Sequence, residues 1–326
     1  HFILCYPLIE KRNYMQLQFL GTGAGMPSKE RNVTSIALKL LDEIGSTWLF
    51  DCGEGTQHQI LHTSIKPRRI DKIFITHLHG DHIYGLPGFL GSRSFLGGNT
   101  PLTIYGPAEI RLFVETAIKL SKTHLTYPIH FVEVHDGIIL EDEHFVVRAQ
   151  KLQHVIECFG YRVEQKDLPG QLLVDKVQAL GVPRGPLYRE LKLGHNVTLE
   201  DGTVVKASDV LSEPKPGFIV TILGDTKFCP ASIQLAENAH IVVHEATFDA
   251  STTDLAASYG HATNIEAATV AKNAQAKNLI MTHISARFLK HDVEKLVAEA
   301  KEVFENSFVA HDFSLFELKN GHLISE

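Results

Sequence analysis

The sequence predicts an α/β fold in which strands and helices form separate layers. Short apolar, β-rich runs at 15–20, 72–76 and 217–223 alternate with segments of helical spacing such as 54–63 and 292–305. Strands that alternate with helices are typical of layered α/β domains. The chain has 326 residues, of which 44% are hydrophobic and 21% charged, so it has enough apolar side chains for a large core.

Two segments fall outside this pattern. Residues 1–14 begin with an apolar run but lack the basic leading region of a secretory signal, so we interpret them as a tag or upstream extension of a domain at 15–326. Residues 165–195 are rich in Pro and Gly, and we interpret them as an inserted, flexible arm. Five basic and three acidic residues give this arm a net charge of about +2. An ordinary solvated loop is the alternative.

Composition excludes several classes of protein. No stretch approaches the ~18–20 apolar residues of a membrane span, so we expect no membrane contact. The four cysteines include no C-x-x-C pair, which excludes a cysteine zinc site and favours reduced thiols in a cytoplasmic protein. A net charge of −7 argues against indiscriminate binding of polyanions, although a local patch can still contact phosphates.

The strongest chemical signal is a histidine and aspartate cluster directly after the apolar run at 72–76. Four ligand-type side chains fall within six residues, namely His77, His79, Asp81 and His82. Imidazole nitrogen and carboxylate oxygen are ligands that zinc prefers, and Gly80 allows a sharp turn between them. The spacing predicts two metal ions, each held by part of this turn.

One turn cannot complete two coordination shells, so further ligands must come from other strand ends. His154, Asp225 and His283 each follow a predicted strand. A single histidine at a strand end is more often structural. Together, these three residues supply the ligands that the turn at 77–82 lacks, so they are better interpreted as metal ligands.

Together with these residues, several stretches make the chain resemble the metallo-β-lactamase fold family and, within it, the ribonuclease Z family of tRNA 3′-end-processing endonucleases. The resemblance extends from Met15 to about Phe316. The matching stretches are 19–25, 27–32, 50–54, 76–82, 222–226, 244–248, 260–263 and 282–285. The cluster at 77–82 is shared by the whole superfamily, whereas His244-Glu245-Ala246-Thr247-Phe248 and the arm are much narrower signals.

The resemblance implies a four-layer αββα sandwich and two Zn²⁺ ions per subunit, with Mn²⁺ or another divalent ion as the alternative. It assigns His77, His79 and His154 to one ion, Asp81, His82 and His283 to the other, and Asp225 to both. The family usually has glycine after the third histidine ligand, and this chain has Val155.

For catalysis, the resemblance favours three residues. Asp81 is expected to orient or deprotonate the attacking water. His261 is expected to protonate the leaving oxygen, and Glu245 to orient His261, since such pairing raises imidazole basicity. Structural hydrogen bonds near a helix cap are the alternative for Glu245 and His261.

The expected substrate is precursor tRNA, and the family also implies a homodimer. Lys29 and Arg31 lie in the loop at 27–32 and are expected to contact phosphates, as are Arg184, Arg189 and Lys192 of the arm. Lys66-Pro67-Arg68-Arg69 is a second basic cluster and a candidate for phosphate contacts, with a solvated face as the alternative. The glycines at 21–25 do not have the dinucleotide-binding spacing.

Three other functions remain open at this stage. A small-molecule phosphodiesterase, lactonase or arylsulfatase-like hydrolase would keep the metal site and lack the tRNA substrate. A diiron redox protein of the same fold would need iron and usually a flavin domain. A metal-free RNA-binding scaffold is disfavoured by the intact set of ligands.

Overall fold

The structure is a computed structural model that describes residues 14–168 and 170–325. Of the predicted extension at 1–14, residues 1–13 lie outside the described residues. Tyr14 is the first residue of the first strand, so regular structure begins one residue before the predicted start at Met15.

The strands are short, and most follow the apolar runs of the sequence. Within the described ranges they are β1 (Tyr14–Gly21), β2 (Gly23–Ala24), β3 (Ser35–Leu40), β4 (Ser46–Phe50), β5 (Ile70–Phe74), β6 (Leu102–Gly106), β7 (Ile129–Glu133), β8 (Gly137–Glu141), β9 (Phe145–Lys151), β10 (Phe159–Gln165), β11 (Val197–Thr198), β12 (Val204–Val205), β13 (Ile219–Ile222), β14 (Ile241–Glu245), β15 (Leu279–Thr282), β16 (Ile284–Ser285), β17 (Ser307–Val309), β18 (Leu315–Lys319) and β19 (His322–Ser325).

The helices fall between these strands. Within the same ranges they are α1 (Leu41–Ile44), α2 (Thr56–Ile60), α3 (Gly80–Ile83), α4 (Leu86–Phe95), α5 (Ile110–Ser121), α6 (Val174–Ala179), α7 (Pro186–Lys192), α8 (Ala207–Val210), α9 (Pro230–Leu235), α10 (Thr253–Tyr259), α11 (Asn264–Asn273) and α12 (Lys290–Val303), with 3₁₀ turns at Pro67–Arg69 and Ala250–Thr252.

The chain divides into two compact units, and the larger one comprises residues up to Glu164 together with Ile219–Glu326. Its described part has one sheet in the order β19-β18-β1-β3-β4-β5-β6-β7 and another in the order β17-β15-β14-β13-β10-β9-β8. Strands β4 to β7 run parallel to one another, as do β13, β14, β15 and β17.

Aromatic side chains fill the space between the two sheets. Trp48 and Phe74 of the first sheet contact Phe145 and Tyr161 of the second, with ring centroids 5.2 Å apart for Trp48–Phe145 and 5.4 Å apart for Phe74–Tyr161. Rings at these distances bury a large apolar area. The sheets therefore form the two inner layers.

Helices cover the outer face of each sheet. Apolar side chains of α4 and α5 pack on β5 and β6, where Phe89 belongs to the same buried cluster as Ile73 and Ile104. On the other sheet, α9, α11 and α12 bury small and branched side chains against β14 and β15. The order of layers is therefore helix, sheet, sheet, helix.

Helix α11 begins three residues after His261, and local sequence fixes its start. The hydroxyl of Thr263 accepts a hydrogen bond from the backbone N–H of Glu266 at 3.2 Å, and the Glu266 carboxylate accepts one from the Thr263 N–H at 2.8 Å. These two hydrogen bonds form a capping box, which fixes where the helix begins. The helix extends from Asn264 to Asn273.

The smaller unit, Gln165–Phe218, has a core of its own. Val177, Leu191, Val197 and Val210 are buried together, and β11 pairs with β12 as a short antiparallel hairpin. The predicted arm at 165–195 lies in this unit, which continues for more than twenty residues beyond it. The described residues contain no helix with the length and apolar character that crossing a bilayer requires.

Candidate metal centre

Four strand ends carry the ligand-type side chains that the sequence predicts. Strand β5 leads into the turn at 77–82, and β9, β13 and β15 are followed by His154, Asp225 and His283. The structure brings these seven side chains together into adjoining groups. They come from positions more than 200 residues apart in the chain, so folding alone creates the cluster.

The first group consists of His77, His79, His154 and Asp225, whose ligand atoms all lie within 4.8 Å of one another. Nδ1 of His79 lies 3.0 Å from Nε2 of His77 and 3.2 Å from Nε2 of His154. Oδ2 of Asp225 lies 3.7 Å from Nε2 of His77. These are the residues assigned to the first ion, with the bridging carboxylate.

The second group consists of Asp81, His82 and His283, and Asp225 borders it too. Nε2 of His283 lies 3.3 Å from Nε2 of His82, from Oδ2 of Asp81 and from Oδ2 of Asp225. Oδ2 of Asp225 also lies 3.5 Å from Nε2 of His82. The same Asp225 oxygen therefore faces both groups, as a bridging ligand would.

These distances fit divalent cations. Zinc binds imidazole nitrogen at about 2.0–2.1 Å in tetrahedral geometry, which places neighbouring ligand atoms about 3.4 Å apart. The observed separations run from 3.0 to 3.7 Å. When the outer ring nitrogens carry the protons, the nitrogens that face one another present lone pairs, and a common cation is the partner that this arrangement suits.

The outer nitrogens of the histidine rings are held by hydrogen bonds. Nδ1 of His154 donates to the carbonyl oxygen of Gly260 at 2.8 Å. Nδ1 of His283 lies 2.9 Å from the hydroxyl of Thr247, and Nδ1 of His77 lies 3.0 Å from that of Thr76. Partners of this kind fix the tautomer so that the other nitrogen faces a metal.

Asp51 is a buried carboxylate to which sequence reasoning gave no role. One of its oxygens accepts from the backbone N–H of Thr76 at 2.7 Å, and the other accepts from the Thr76 hydroxyl at 2.8 Å. The second oxygen also accepts from Nδ1 of His82 at 2.7 Å. Asp51 thus orients His82 directly and His77 through Thr76. Its only signal in the sequence was its place in the matching stretch 50–54.

Glu245 holds a second set of partners. Its Oε2 accepts from the Thr247 hydroxyl at 2.6 Å, and its Oε1 accepts from Nδ1 of His261 at 2.8 Å. The pairing of Glu245 with His261 is the one expected from the resemblance. Thr247, which links Glu245 to His283, was not assigned a role.

Charged neighbours shift the pKa values of His261 and Asp225. Burial by itself would lower the pKa of His261, but the carboxylates of Glu245 and Asp225 outweigh burial and raise the pKa to about 9. Burial would raise the pKa of Asp225, but the rings of His283, His82 and His77 hold it well below its ordinary value. Without ions, His261 is therefore cationic and Asp225 anionic at neutral pH.

Comparison with known proteins agrees with this geometry. Ribonuclease Z of Anoxybacillus flavithermus is 57% identical over 309 residues, which cover 94% of this chain and 99% of the relative. Ribonuclease Z of Geobacillus kaustophilus is 57% identical over 307 residues, covering 94% of this chain and all of the relative. The chain belongs to the ribonuclease Z family. It is a hydrolytic nuclease of the metallo-β-lactamase fold, and the predicted family and fold class are confirmed.

Solved structures of the family and the fold lead to the same conclusion. Human tRNase Z, short form, is 32% identical with a TM-score of 0.65, covering 92% of this chain and 98% of that chain. The metallo-beta-lactamase fold protein YhfI from Bacillus subtilis, at 21% identity and a TM-score of 0.63, supports the fold alone. A family model described as Anti-Pycsar protein Apyc1 matches residues 15–127, about a third of the chain.

The departure at Val155 from the family pattern leaves His154 in place. Val155 is 60% exposed, and Nε2 of His154 still lies within the first group. Gly260 has no room for a side chain, since a Cβ there would lie 2.9 Å from Nδ1 of His154. The ring of His154 is therefore set by Gly260 of the family motif at 260–263.

The predicted RNA contacts divide into two kinds. Lys29 is exposed, as are Arg184, Arg189 and Lys192 of the smaller unit. Arg31 is only 7% exposed, and its guanidinium donates to the Thr22 hydroxyl at 2.7 Å and to the Ala310 carbonyl at 2.6 Å. Because these donors bind groups within the fold, Arg31 has a structural role and is not proposed as an RNA contact.

Proposed function

We propose that this chain removes the 3′ trailer of precursor tRNA by endonucleolytic hydrolysis and leaves a 3′-hydroxyl on the tRNA. The observation that carries the proposal is the pairing of two adjoining ligand groups with the hydrogen-bonded pair His261–Glu245 beside them. The relatives named ribonuclease Z and tRNase Z supply the class of substrate.

The proposed cofactors are two Zn²⁺ ions per subunit, with Mn²⁺ or another divalent ion as the alternative. The ligands would be His77, His79 and His154 for one ion, Asp81, His82 and His283 for the other, and Asp225 for both. When bound, such ions supply electrophilic stabilisation of a phosphodiester and a water of lowered pKa.

His261 and Asp81 would divide the proton transfers. His261 is part-buried and hydrogen-bonded to Glu245, whose carboxylate favours the cationic ring, so it can donate a proton to the leaving oxygen. Asp81 would orient or deprotonate the attacking water, and its Oδ2 is fixed by the backbone N–H of Gly25 at 2.8 Å. Glu245 would keep His261 protonated and turned towards the substrate.

The RNA would be bound by exposed cations outside this pocket. Lys29 in the loop at 27–32 and Arg184, Arg189 and Lys192 in the smaller unit are the proposed phosphate contacts. We propose that the inserted arm within this unit grips the tRNA and that the active form is a homodimer. A cytoplasmic location belongs to the same proposal and fits the free cysteines Cys52, Cys158 and Cys229.

The direct test is cleavage of a 5′-labelled precursor tRNA by the zinc-loaded protein. We expect a single cut that releases the trailer and leaves a 3′-hydroxyl. Asp81→Ala should abolish cleavage, and Glu143→Gln, which neutralises an exposed carboxylate, should leave it unchanged. Cleavage by Asp81→Ala at the wild-type rate would contradict the proposal.

A second test separates tRNA processing from hydrolysis of a small phosphodiester. The backbone N–H of Gln165 donates to the Phe218 carbonyl at 2.8 Å, so a short Gly/Ser linker can replace the residues between them. This variant should lose cleavage of precursor tRNA and keep hydrolysis of bis(p-nitrophenyl) phosphate. Retention of both activities would favour the small-molecule hydrolase, and bound iron would favour the diiron protein.

A further inference from the structure

Phe248 lies at the centre of a group of side chains beside His261. The ring is 8% exposed and follows β14 in the motif at 244–248. Its centroid lies 6.0 Å from that of His261 and 6.3 Å from that of Tyr259. The guanidinium carbon of Arg287 lies over the same ring at 4.5 Å. One buried ring therefore supports an imidazole, a phenol and a cation.

Arg287 lies over aromatic rings, and among the described residues its side-chain donors have no hydrogen-bond partner. Its guanidinium carbon also lies over the ring of Phe288 at 4.7 Å, so two rings contact the same cation. Within 14–168 and 170–325, no carboxylate forms an ion pair with Arg287 within 4.0 Å. A guanidinium fixed by stacking can still donate up to five hydrogen bonds from its edge, in a geometry that matches phosphate.

Asp249, Asp292 and Glu299 line the same pocket as Arg287. Asp292 accepts a hydrogen bond from the backbone N–H of Leu289, and Glu299 accepts one from the Asn264 side-chain amide.

Asp249 is the carboxylate whose pKa Arg287 helps to lower. Its Oδ1 accepts hydrogen bonds from the Ser251 backbone N–H at 2.9 Å and from the Ser251 and Thr252 hydroxyls. The Asp249 carboxylate therefore accepts hydrogen bonds within its own turn. Arg287 adds only a longer-range electrostatic attraction. A purely structural role for Arg287 would be to balance this charge.

Tyr259 offers a surface for stacking. It is the last residue of α10 and is 59% exposed, and its ring plane lies at 13° to that of Phe248. Gly260, in the left-handed region with φ +75°, ends the helix and turns the chain directly to His261. An exposed aromatic ring, a stacked arginine and the proposed proton donor are therefore neighbours.

We propose that Phe248, Tyr259 and Arg287 form a nucleotide platform next to the scissile phosphate. On this platform Tyr259 stacks on the base of a flanking nucleotide, and Arg287 binds a phosphate on the same strand. The inference rests on the proposed function, because it assigns residues that bind the RNA beside the proposed metal centre. The chemistry it requires is that of single-stranded RNA, in which bases are free to stack on aromatic rings.

The test compares two substrates, a precursor tRNA and bis(p-nitrophenyl) phosphate, with the full-length zinc-loaded protein. Arg287→Ala should raise the KM for precursor tRNA about tenfold and lower the salt dependence of binding by about one counterion. Its activity on the small diester should be unchanged. Arg287→Lys should recover only part of the loss, because lysine keeps the charge without the planar fork.

Tyr259 has its own matched pair. Tyr259→Ala should lower kcat/KM for precursor tRNA by about 5- to 150-fold, the range for loss of one stacked base. Tyr259→Phe keeps the ring and should retain nearly full activity. If Tyr259→Phe is as impaired as Tyr259→Ala, stacking is the wrong explanation and the platform is overturned.

The structural alternative predicts a different pattern. If Arg287 serves only to balance Asp249, adding Asp249→Asn to Arg287→Ala should restore cleavage of precursor tRNA, and that result would overturn the platform. Equal losses on both substrates would overturn it too, since they would place Arg287 in the support of the metal centre. If wild type hydrolyses the diester and leaves precursor tRNA intact, the proposed function fails and this inference fails with it.

Discussion

Two buried carboxylates, one from each sheet, hold the histidines of the site in similar ways. Asp51 follows β4 and Glu245 ends β14, and each bonds one histidine Nδ1 directly and a second histidine through a threonine hydroxyl. The threonines are Thr76 and Thr247. The two halves thus repeat one arrangement of carboxylate, hydroxyl and imidazole.

The difference lies in the histidines. Both partners of Asp51, His77 and His82, are buried and belong to the ligand groups. Of the partners of Glu245, His283 is a proposed ligand. His261 is part-buried and stands outside the two groups of proposed ligands, although with Asp225 and His283 it forms a third set whose atoms could hold an ion. We infer that the Asp51 side only supports ion binding and that the Glu245 side also supplies the proton donor.

Replacing the directly bonded histidine on each side should give the largest contrast. His82→Ala removes a proposed ligand, so it should lose about one bound ion and at least ~10³-fold in activity. His261→Ala should keep the wild-type metal content and lose about 10²- to 10⁴-fold in kcat. Metal analysis alongside kinetics checks both. Loss of metal in His261→Ala would break the comparison.

Replacing the two carboxylates, Asp51 and Glu245, should give the next largest contrast. Asp51→Asn disturbs the orientation of His82 and should weaken ion binding about 10- to 100-fold, with activity recovered at high zinc. Glu245→Gln should lower kcat in a way that added zinc does not restore, since it acts on His261. A zinc titration of activity separates them, and full rescue of Glu245→Gln would show that both sides only support the ions.

The pH dependence of kcat tests whether His261 is the proton donor. A proton donor is active when protonated, so kcat should fall as pH rises through the pKa of His261. In the ion-free protein the carboxylates of Glu245 and Asp225 raise this pKa to about 9, and bound cations nearby would lower it from that value. Glu245→Gln removes the nearest negative charge while burial still lowers the pKa. The alkaline limb should then move to lower pH. If the alkaline fall of kcat stays at the same pH in Glu245→Gln, a group other than His261 is titrating.

The threonines should give effects no larger than those of the carboxylates. Thr76→Val and Thr247→Val each remove two side-chain hydrogen bonds of about 1 kcal/mol, which together correspond to roughly 30-fold in the measured constant. Thr76→Val should affect zinc affinity, and Thr247→Val should affect both zinc affinity and kcat. Isothermal titration with zinc and steady-state kinetics distinguish them, and identical profiles would contradict the inferred difference.

The side chains that the structure brings together could be named from the sequence because their signal is local. A histidine or aspartate directly after an apolar strand is recognisable, and His77, His79, Asp81 and His82 lie within six residues. The resemblance added the roles of Glu245 and His261, and the structure places these two side chains 2.8 Å apart.

The supporting residues could not be predicted in the same way. Asp51 and His82 are 31 positions apart, and Thr247 and His283 are 36 positions apart, so only the fold brings each pair together. Arg31 illustrates the opposite case. A basic residue in a polar loop indicates an exposed phosphate contact, but the partners Thr22 and Ala310 that bind its guanidinium come from other parts of the chain.

The most direct test of this account is the metal content per chain of the purified wild-type protein after dialysis against zinc and then against zinc-free buffer. The two adjoining ligand groups predict two tightly bound zinc ions per chain, and about one or fewer in Asp225→Ala, because Asp225 faces both groups. A wild-type chain that retains one ion or none under these conditions would contradict the paired centre.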